Sequence, residues 1–99
     1  MRERGTKRKK RTKRKQNKTV YYFYMNGCPY CNEFNETWSN LKKKKKNVKF
    51  IKYNKDSKLK LINKYGIETY PAIVRVIRNK HKLYPTDDRT MNKLLKFIG

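Results

Sequence analysis

Thr19-Val20-Tyr21-Tyr22-Phe23-Tyr24-Met25-Asn26-Gly27-Cys28-Pro29-Tyr30-Cys31 is the stretch on which the reading of this chain turns. Its first six residues are β-branched or aromatic, without Gly or Pro, and read as a buried strand. Met25-Asn26-Gly27 breaks that strand. Pro29 suits the first turn of a helix, where its missing N–H is no loss. Cys31, Phe34, Trp38 and Leu41 follow at spacings of three, four and three, which is one helical face. Lys42–Lys46 complete the last turn, where cations favour the macrodipole. Two cysteines two residues apart therefore fall at a strand-to-helix junction.

That placement carries chemistry. A helix N-terminus offers unpaired N–H groups and roughly half a positive charge. Cys28 is expected there, with its thiolate stabilised and its pKa below the free value of ~8.5. Cys31, one turn further on the apolar face, is expected to be shielded and less acidic. An exposed Cys28 attacks a thiol or disulfide, and Cys31 resolves the mixed disulfide. The rival roles of the pair are weaker. Two Cys and one His supply three soft ligands, one short of a closed structural zinc site, so no metal is expected. A static disulfide suits an oxidising compartment, and no secretory h-region follows Met1-Arg2-Glu3-Arg4-Gly5.

Outward from the pair, Val48-Lys49-Phe50-Ile51-Lys52-Tyr53 reads as a second strand. Ser57 is the expected N-cap of a helix that carries Leu59, Leu61, Ile62 and Tyr65 and ends at Gly66. Tyr70-Pro71 favours an extended or cis linkage. Ala72–Arg78 reads as a third strand, and Asn79-Lys80-His81-Lys82 as a hairpin turn into a short edge strand at Leu83-Tyr84. Asp87 or Asp88 is the expected cap of a last helix with Met91, Leu94, Leu95 and Ile98 inward. The order is β-α-β-α-β-β-α, an α/β class with a mixed sheet and helices on both faces.

Composition bounds the rest. Ninety-nine residues allow one small domain. The longest apolar run, Val20 to Met25, is far too short to cross a bilayer. Twenty-nine Lys and Arg against seven acids give a net charge of +22. Residues 1–18 hold eleven of those cations and no aromatic or branched aliphatic residue, and read as a disordered basic arm. Residues 19–99 are the folded domain. In the arm, Lys7, Arg8, Lys9, Lys10, Arg11, Lys13, Arg14 and Lys15 are candidates for binding nucleic acid by counterion release, or for a nuclear localisation signal. The alternative function is thus a basic nucleic-acid-binding or virion-packaging module whose redox pair is secondary. Lys42–Lys46 reads as a solvated helix end and His81 as a surface turn residue. The charge further suggests acidic protein partners. The expected protein is a monomer without a membrane span, not Sec-exported, of the cytoplasm or nucleus of a host cell or of a virion.

These segments together resemble the thioredoxin superfamily in its minimal β-α-β-α-β-β-α form, and most of all the catalytic domains of protein disulfide isomerases. Phe23-Tyr24, Trp38 and Leu41 match that family's strand–motif–helix pattern. Tyr65-Gly66-Ile67 followed by Tyr70-Pro71 is similar to its Y-G-V…Y-P segment, and Asp88-Arg89-Thr90 to the opening of its last helix. Cys28-Pro29-Tyr30-Cys31 resembles the glutaredoxin motif. The lysine-rich composition is similar to that of small disulfide-isomerase-like proteins of large DNA viruses. The resemblance implies a protein thiol–disulfide oxidoreductase or isomerase needing no cofactor beyond its dithiol. It implies that Pro71, in cis, shapes the substrate groove, that Pro29, Tyr30 and Tyr70 contact substrate, and that Arg89 tunes Cys31. Isomerases carry a His between the cysteines and a buried acid six residues before the first. Here Pro29-Tyr30 and Tyr22 stand in those places, so a less oxidising couple is expected, with water or Glu33 taking the Cys31 proton.

Overall fold

The computed structural model describes residues 18–99. The basic-arm candidates Lys7 to Lys15 lie outside the described residues. Lys18, the last residue of the segment read as an arm, already belongs to the first strand.

Strand β1 (Lys18–Tyr24) leads into helix α1 (Pro29–Lys44), and strand β2 (Lys49–Asn54) follows. A 3-10 turn (Lys55–Ser57) precedes the short helix α2 (Leu59–Tyr65). Strands β3 (Ala72–Ile77) and β4 (Lys80–Leu83) form a hairpin, and helix α3 (Met91–Ile98) closes the domain. The sheet order is β2-β1-β3-β4, with β2 parallel to β1 and β3 antiparallel to it. This is the mixed sheet of the expected thioredoxin-like α/β fold.

Alternation along β1 divides the core in two, because successive side chains leave opposite faces of a strand. Val20 and Tyr22 face α1 and α3 and pack with Phe34, Trp38, Leu41, Ile73, Leu94 and Ile98. Phe23 faces the other side and packs with Tyr65, Ile67, Ala72 and Val74 under α2. Central β1 is thus covered on both faces, which explains its unbroken run of large apolar residues.

Several boundaries differ from the sequence reading, each for a local reason. Ser57 does not cap α2. Its hydroxyl donates to the Asn54 carbonyl within the 3-10 turn, and Asn54 Oδ1 accepts from the Asp56 N–H. α2 therefore starts without a side-chain cap, and Leu59 in its first turn points outward, 57% exposed. Gly66 does end α2, at φ 68°, in the left-handed region that suits glycine. The hairpin turns at Arg78-Asn79, since Ile77 pairs with Lys80. Arg78 takes a φ of 60° at the first turn position, the sign a type II′ turn requires. His81 consequently lies within β4 rather than in the turn, its ring 4.8 Å from that of Tyr65. Neither Asp87 nor Asp88 caps α3. Thr90 is the N-cap residue, and Asp88 Oδ1 accepts the Thr90 N–H. Met91 and Leu95 are only half-buried on α3.

Candidate active site

β1 ends at Tyr24, and the chain reverses through Gly27 at φ 74° to set Cys28 as the N-cap residue of α1. Pro29 follows at the start of the helix. The Cys31 N–H donates to Cys28 Sγ at 3.1 Å, and the two sulfurs are joined as a disulfide with Cα atoms 5.2 Å apart. A thiolate released at Cys28 meets that same N–H and the positive end of a 16-residue helix. The expected asymmetry of exposure is absent in this oxidised form, in which both cysteines are 3% exposed. What separates them is electrostatic: Cys28 holds the helix cap, whereas Cys31 lies on the buried face of α1 with Phe34, Trp38 and Leu41.

The peptide bond Tyr70–Pro71 is cis, and the Tyr70 carbonyl oxygen lies 3.9 Å from Cys28 Sγ. Arg89 reaches this loop from the segment before α3. Its guanidinium donates to the Pro71 carbonyl at 3.3 Å and to the Asp87 carbonyl at 3.4 Å. The structure therefore brings Cys28, Cys31, Tyr70, Pro71 and Arg89 together, although Arg89 touches the proline loop and not a cysteine sulfur. Pro29 and Tyr30 stand at the mouth, with Tyr30 65% exposed. Two grooves flank the pair. Tyr30, Glu33, Tyr70, Asp87, Asp88 and Arg89 line part of one, and Glu68, Pro71, Asp87 and Arg89 part of the other. Four of the chain's seven acids thus border the redox end. Among the described residues no three of His, Cys, Asp and Glu gather as a metal cluster.

Beneath Cys31 lies a polar cluster that the sequence reading missed. The Tyr22 side chain is fully buried. Its hydroxyl has two acceptors at 2.9 Å, the Cys31 carbonyl and Asn35 Oδ1, for one proton. The Lys52 ammonium donates to the same Asn35 oxygen at 3.1 Å and lies 4.9 Å from the Tyr24 ring centroid. Burial pushes the Tyr22 phenol up to about 12, Tyr24 adds to the rise, and Arg89 opposes it. Two signals pointed here: Asn35 stands four residues after Cys31 on the same helix, and Lys52 interrupts the apolar face of β2 opposite Tyr22.

A C-x-x-C disulfide at a helix start, beside a cis-proline loop on a mixed four-stranded sheet, defines a thioredoxin-fold domain with a redox-capable pair. The family signature described as Thioredoxin matches residues 5–99, and the chain belongs to that family. Solved structures agree on the fold. The first thioredoxin domain of mouse protein disulfide-isomerase A4 superposes with a TM-score of 0.71 at 21% identity, over 83% of this chain and 61% of that one. The germline-specific thioredoxin Deadhead of Drosophila melanogaster gives a TM-score of 0.72 at 23% identity, over 90% and 86%. A thioredoxin variant of Halobacterium salinarum gives 0.74 at 16% identity, over 96% and 83%. The chain therefore spans less than two thirds of the mouse isomerase-domain structure and most of the two thioredoxins.

Proposed function

We propose that this protein is a thiol–disulfide oxidoreductase acting on protein substrates, with Cys28 as nucleophile and Cys31 as resolving thiol. The observation that carries the reading is the Cys31 N–H donating to Cys28 Sγ at the start of α1, with the Tyr70 carbonyl 3.9 Å away. In the reductive direction, the Cys28 thiolate attacks a substrate disulfide and forms a mixed disulfide, and one substrate sulfur leaves as a thiolate. Cys31, once deprotonated, attacks Cys28 Sγ, closes the internal disulfide and releases the second substrate thiol. The oxidative direction is the reverse, and an external thiol or disulfide resets the pair in either case. Pro71 and the Tyr70 main chain border the place where an extended substrate segment lies, and Arg89 holds that loop. Extended peptides commonly dock by main-chain hydrogen bonds of this kind.

The direction we favour is reduction, or mild oxidation at most. No cationic His stands between the cysteines to stabilise the Cys28 thiolate further, and a less stabilised thiolate makes a weaker oxidant. The substrate we favour is neutral or basic near its cysteine. Acidic partners suit the net charge, but Glu33, Glu68, Asp87 and Asp88 line the grooves beside Tyr70 and Pro71, Asp88 being paired with Lys93 at 3.8 Å. The likeness to viral proteins rests on lysine-rich composition alone.

The test is the reduction potential of the pair against glutathione, with turnover of a protein disulfide by Cys28→Ser as control. A potential nearer about −270 mV than about −180 mV supports a reductant. Full turnover by Cys28→Ser refutes the mechanism.

A further inference from the structure

The redox pair occupies one end of the domain, and a different chemistry occupies the other. β1 runs from Lys18 toward the cysteines, and α1 runs back from them to Lys44. At ~1.5 Å per residue, α1 separates its two ends by ~24 Å. At the far end Lys42, Lys43 and Lys44 form the last turn of α1, and Lys45 is its C-cap residue. Lys18, Lys44, Lys45, Lys46, Asn47, Val48 and Gly99 surround one concavity, and Ser39, Lys42, Lys43 and Lys46 border a second beside it.

Two of the four lysines of the first concavity share one acceptor. Lys18 Nζ and Lys45 Nζ both donate to the Gly99 main-chain oxygen, at 3.1 and 3.2 Å. Lys42, Lys43, Lys44 and Lys46 are exposed. The two Lys–carboxylate pairs found among the described residues, Lys55–Asp56 and Lys93–Asp88, involve none of these side chains. Partial burial and then the neighbouring charges of Lys45 and Arg75 hold the Lys18 ammonium below its usual range. Cations gathered this way, with the domain's acids largely at the opposite end, are relieved by an external anion of several charges.

We propose that this lysine-rich end is a second binding site, for the phosphate backbone of duplex nucleic acid. The chemistry favours that class of ligand over a lipid surface. Of the large apolar side chains exposed on the domain, Met25, Tyr30, Leu59 and Ile77, none lies in the lysine run; Ile77, 36% exposed, stands across from Lys18, and half-buried Val48 borders the first concavity, so this end has too little apolar surface to insert into a bilayer. The site is built from lysine point charges, without arginine forks for bidentate contact with bases, so it reads phosphate and not sequence. It is also continuous with more positive charge. Lys18 stands three residues after a segment in which eight of the nine residues 7–15 are Lys or Arg. The folded domain thus extends the basic segment, and its opposite end leaves the redox pair free for a protein substrate while the duplex is held.

The experiment uses the full chain and a fluorescent 20-base-pair duplex of arbitrary sequence, read by anisotropy between about 50 and 200 mM salt. The variant carries Lys42→Gln, Lys43→Gln, Lys44→Gln and Lys46→Gln, which spares the Lys45 contact to Gly99. Each phosphate contact contributes about 0.9 to the slope of log affinity against log salt. The expected result is a slope shallower by one contact or more, up to ~3.6 for four, with turnover of a protein disulfide unchanged. A slope changed by less than one contact overturns the proposal, because the lysines are then only a solvated helix end. So does a parent chain that binds phosphatidylserine vesicles more tightly than duplex at equal salt. A second variant with Glu at the same four positions must weaken duplex binding further than the Gln variant, and equal binding by the two also overturns it. Since turnover is read in parallel, failure of this site and failure of the redox assignment give different results.

Discussion

Replacing Tyr22 by Phe removes one oxygen and leaves the ring, so its effect can be worked out from few quantities. The ring stays packed against Phe34, at 4.9 Å between centroids, and Trp38, at 5.2 Å. No cavity of consequence opens. The hydroxyl's contacts to the Cys31 carbonyl and Asn35 Oδ1 are lost. Both acceptors keep other partners, since Lys52 still donates to Asn35 and the Cys31 carbonyl lies within α1. The cost at neutral pH is then that of one ordinary hydrogen bond, ~1 kcal/mol. For a domain of this size that lowers Tm by ~4–8 °C. In alkali the balance reverses. The phenol titrates near 10 in the unfolded chain and at about 12 in the fold, because it is buried. Between those values the unfolded chain releases the proton and the folded protein keeps it, so stability falls as pH rises. At about 1.4 kcal/mol per pH unit, the parent loses by pH ~11 what the hydroxyl contributed at pH 8. Burial also raises Tyr21, Tyr65, Tyr70 and Tyr84, but these remain in both proteins and cancel in the difference. Urea unfolding of the oxidised proteins, followed by far-UV circular dichroism, measures the gap. It should be ~1 kcal/mol at pH 8, close to zero near pH 11 and inverted above that. A gap constant from pH 8 to 11.5 refutes the assignment of the buried phenol.

Three further outcomes follow from the same structure. Cys31→Ser should retain attack by Cys28 but accumulate a mixed disulfide with substrate, seen as a mass adduct that dithiothreitol releases; absence of the adduct contradicts the division of roles. Among peptides differing only in charge beside one disulfide, lysine-flanked substrates should exceed glutamate-flanked ones severalfold in kcat/KM at low salt, and the difference should shrink as salt rises; a preference for glutamate refutes the acidic-groove reading. Gly66→Ala should cost ~1 kcal/mol in urea unfolding, since an alanine Cβ there meets nothing within 4 Å and only the positive φ of 68° is penalised; an unchanged midpoint contradicts the left-handed cap.

The elements most legible in the sequence were those whose periodicity is reinforced by packing. β1 is apolar from Val20 to Tyr24 because α1 and α3 cover one face and the α2 side covers the other. α1 announces its buried face through Cys31, Phe34, Trp38 and Leu41, all of which are buried. The redox pair was legible for the same reason, since a strand and a helix of clear period fix the junction between them. What failed to show was settled by competition among neighbours. Ser57 is a good cap by residue type, but Asn54 nucleates a 3-10 turn first and Ser57 is consumed inside it. Arg78 carries no turn signature, yet the Ile77–Lys80 pairing forces it to a positive φ. Asn35 and Lys52 belong to no sequence motif. Only the parallel register that sets Lys52 beside Tyr22, together with the helical step from Cys31 to Asn35, joins them to the site.

Charge shows the same limit in another form. A net charge of +22 describes how the whole chain meets a distant polyanion, because at long range only the sum matters. At a groove the sum is replaced by the nearest few charges, since screening removes those beyond ~8–10 Å at ordinary ionic strength. α1 spans more than twice that distance, with the redox pair at one end and Lys42, Lys43 and Lys44 at the other. On the function proposed above, a substrate chain at Cys28 would meet Glu33, Glu68, Asp87 and Asp88 together with Arg89, with Lys93, which pairs with Asp88 at 3.8 Å, and with Lys55, 5.8 Å from the Tyr70 ring centroid, rather than the lysine run. One chain can accordingly attract an anion at one end and a cationic peptide at the other. Salt should weaken both, but for a different reason at each: counterion release along a phosphate backbone, and ordinary screening of a few charges at the groove. The duplex should show a steep linear dependence on log salt and the peptide a shallow one, and equal steepness would mean that a single charged surface serves both.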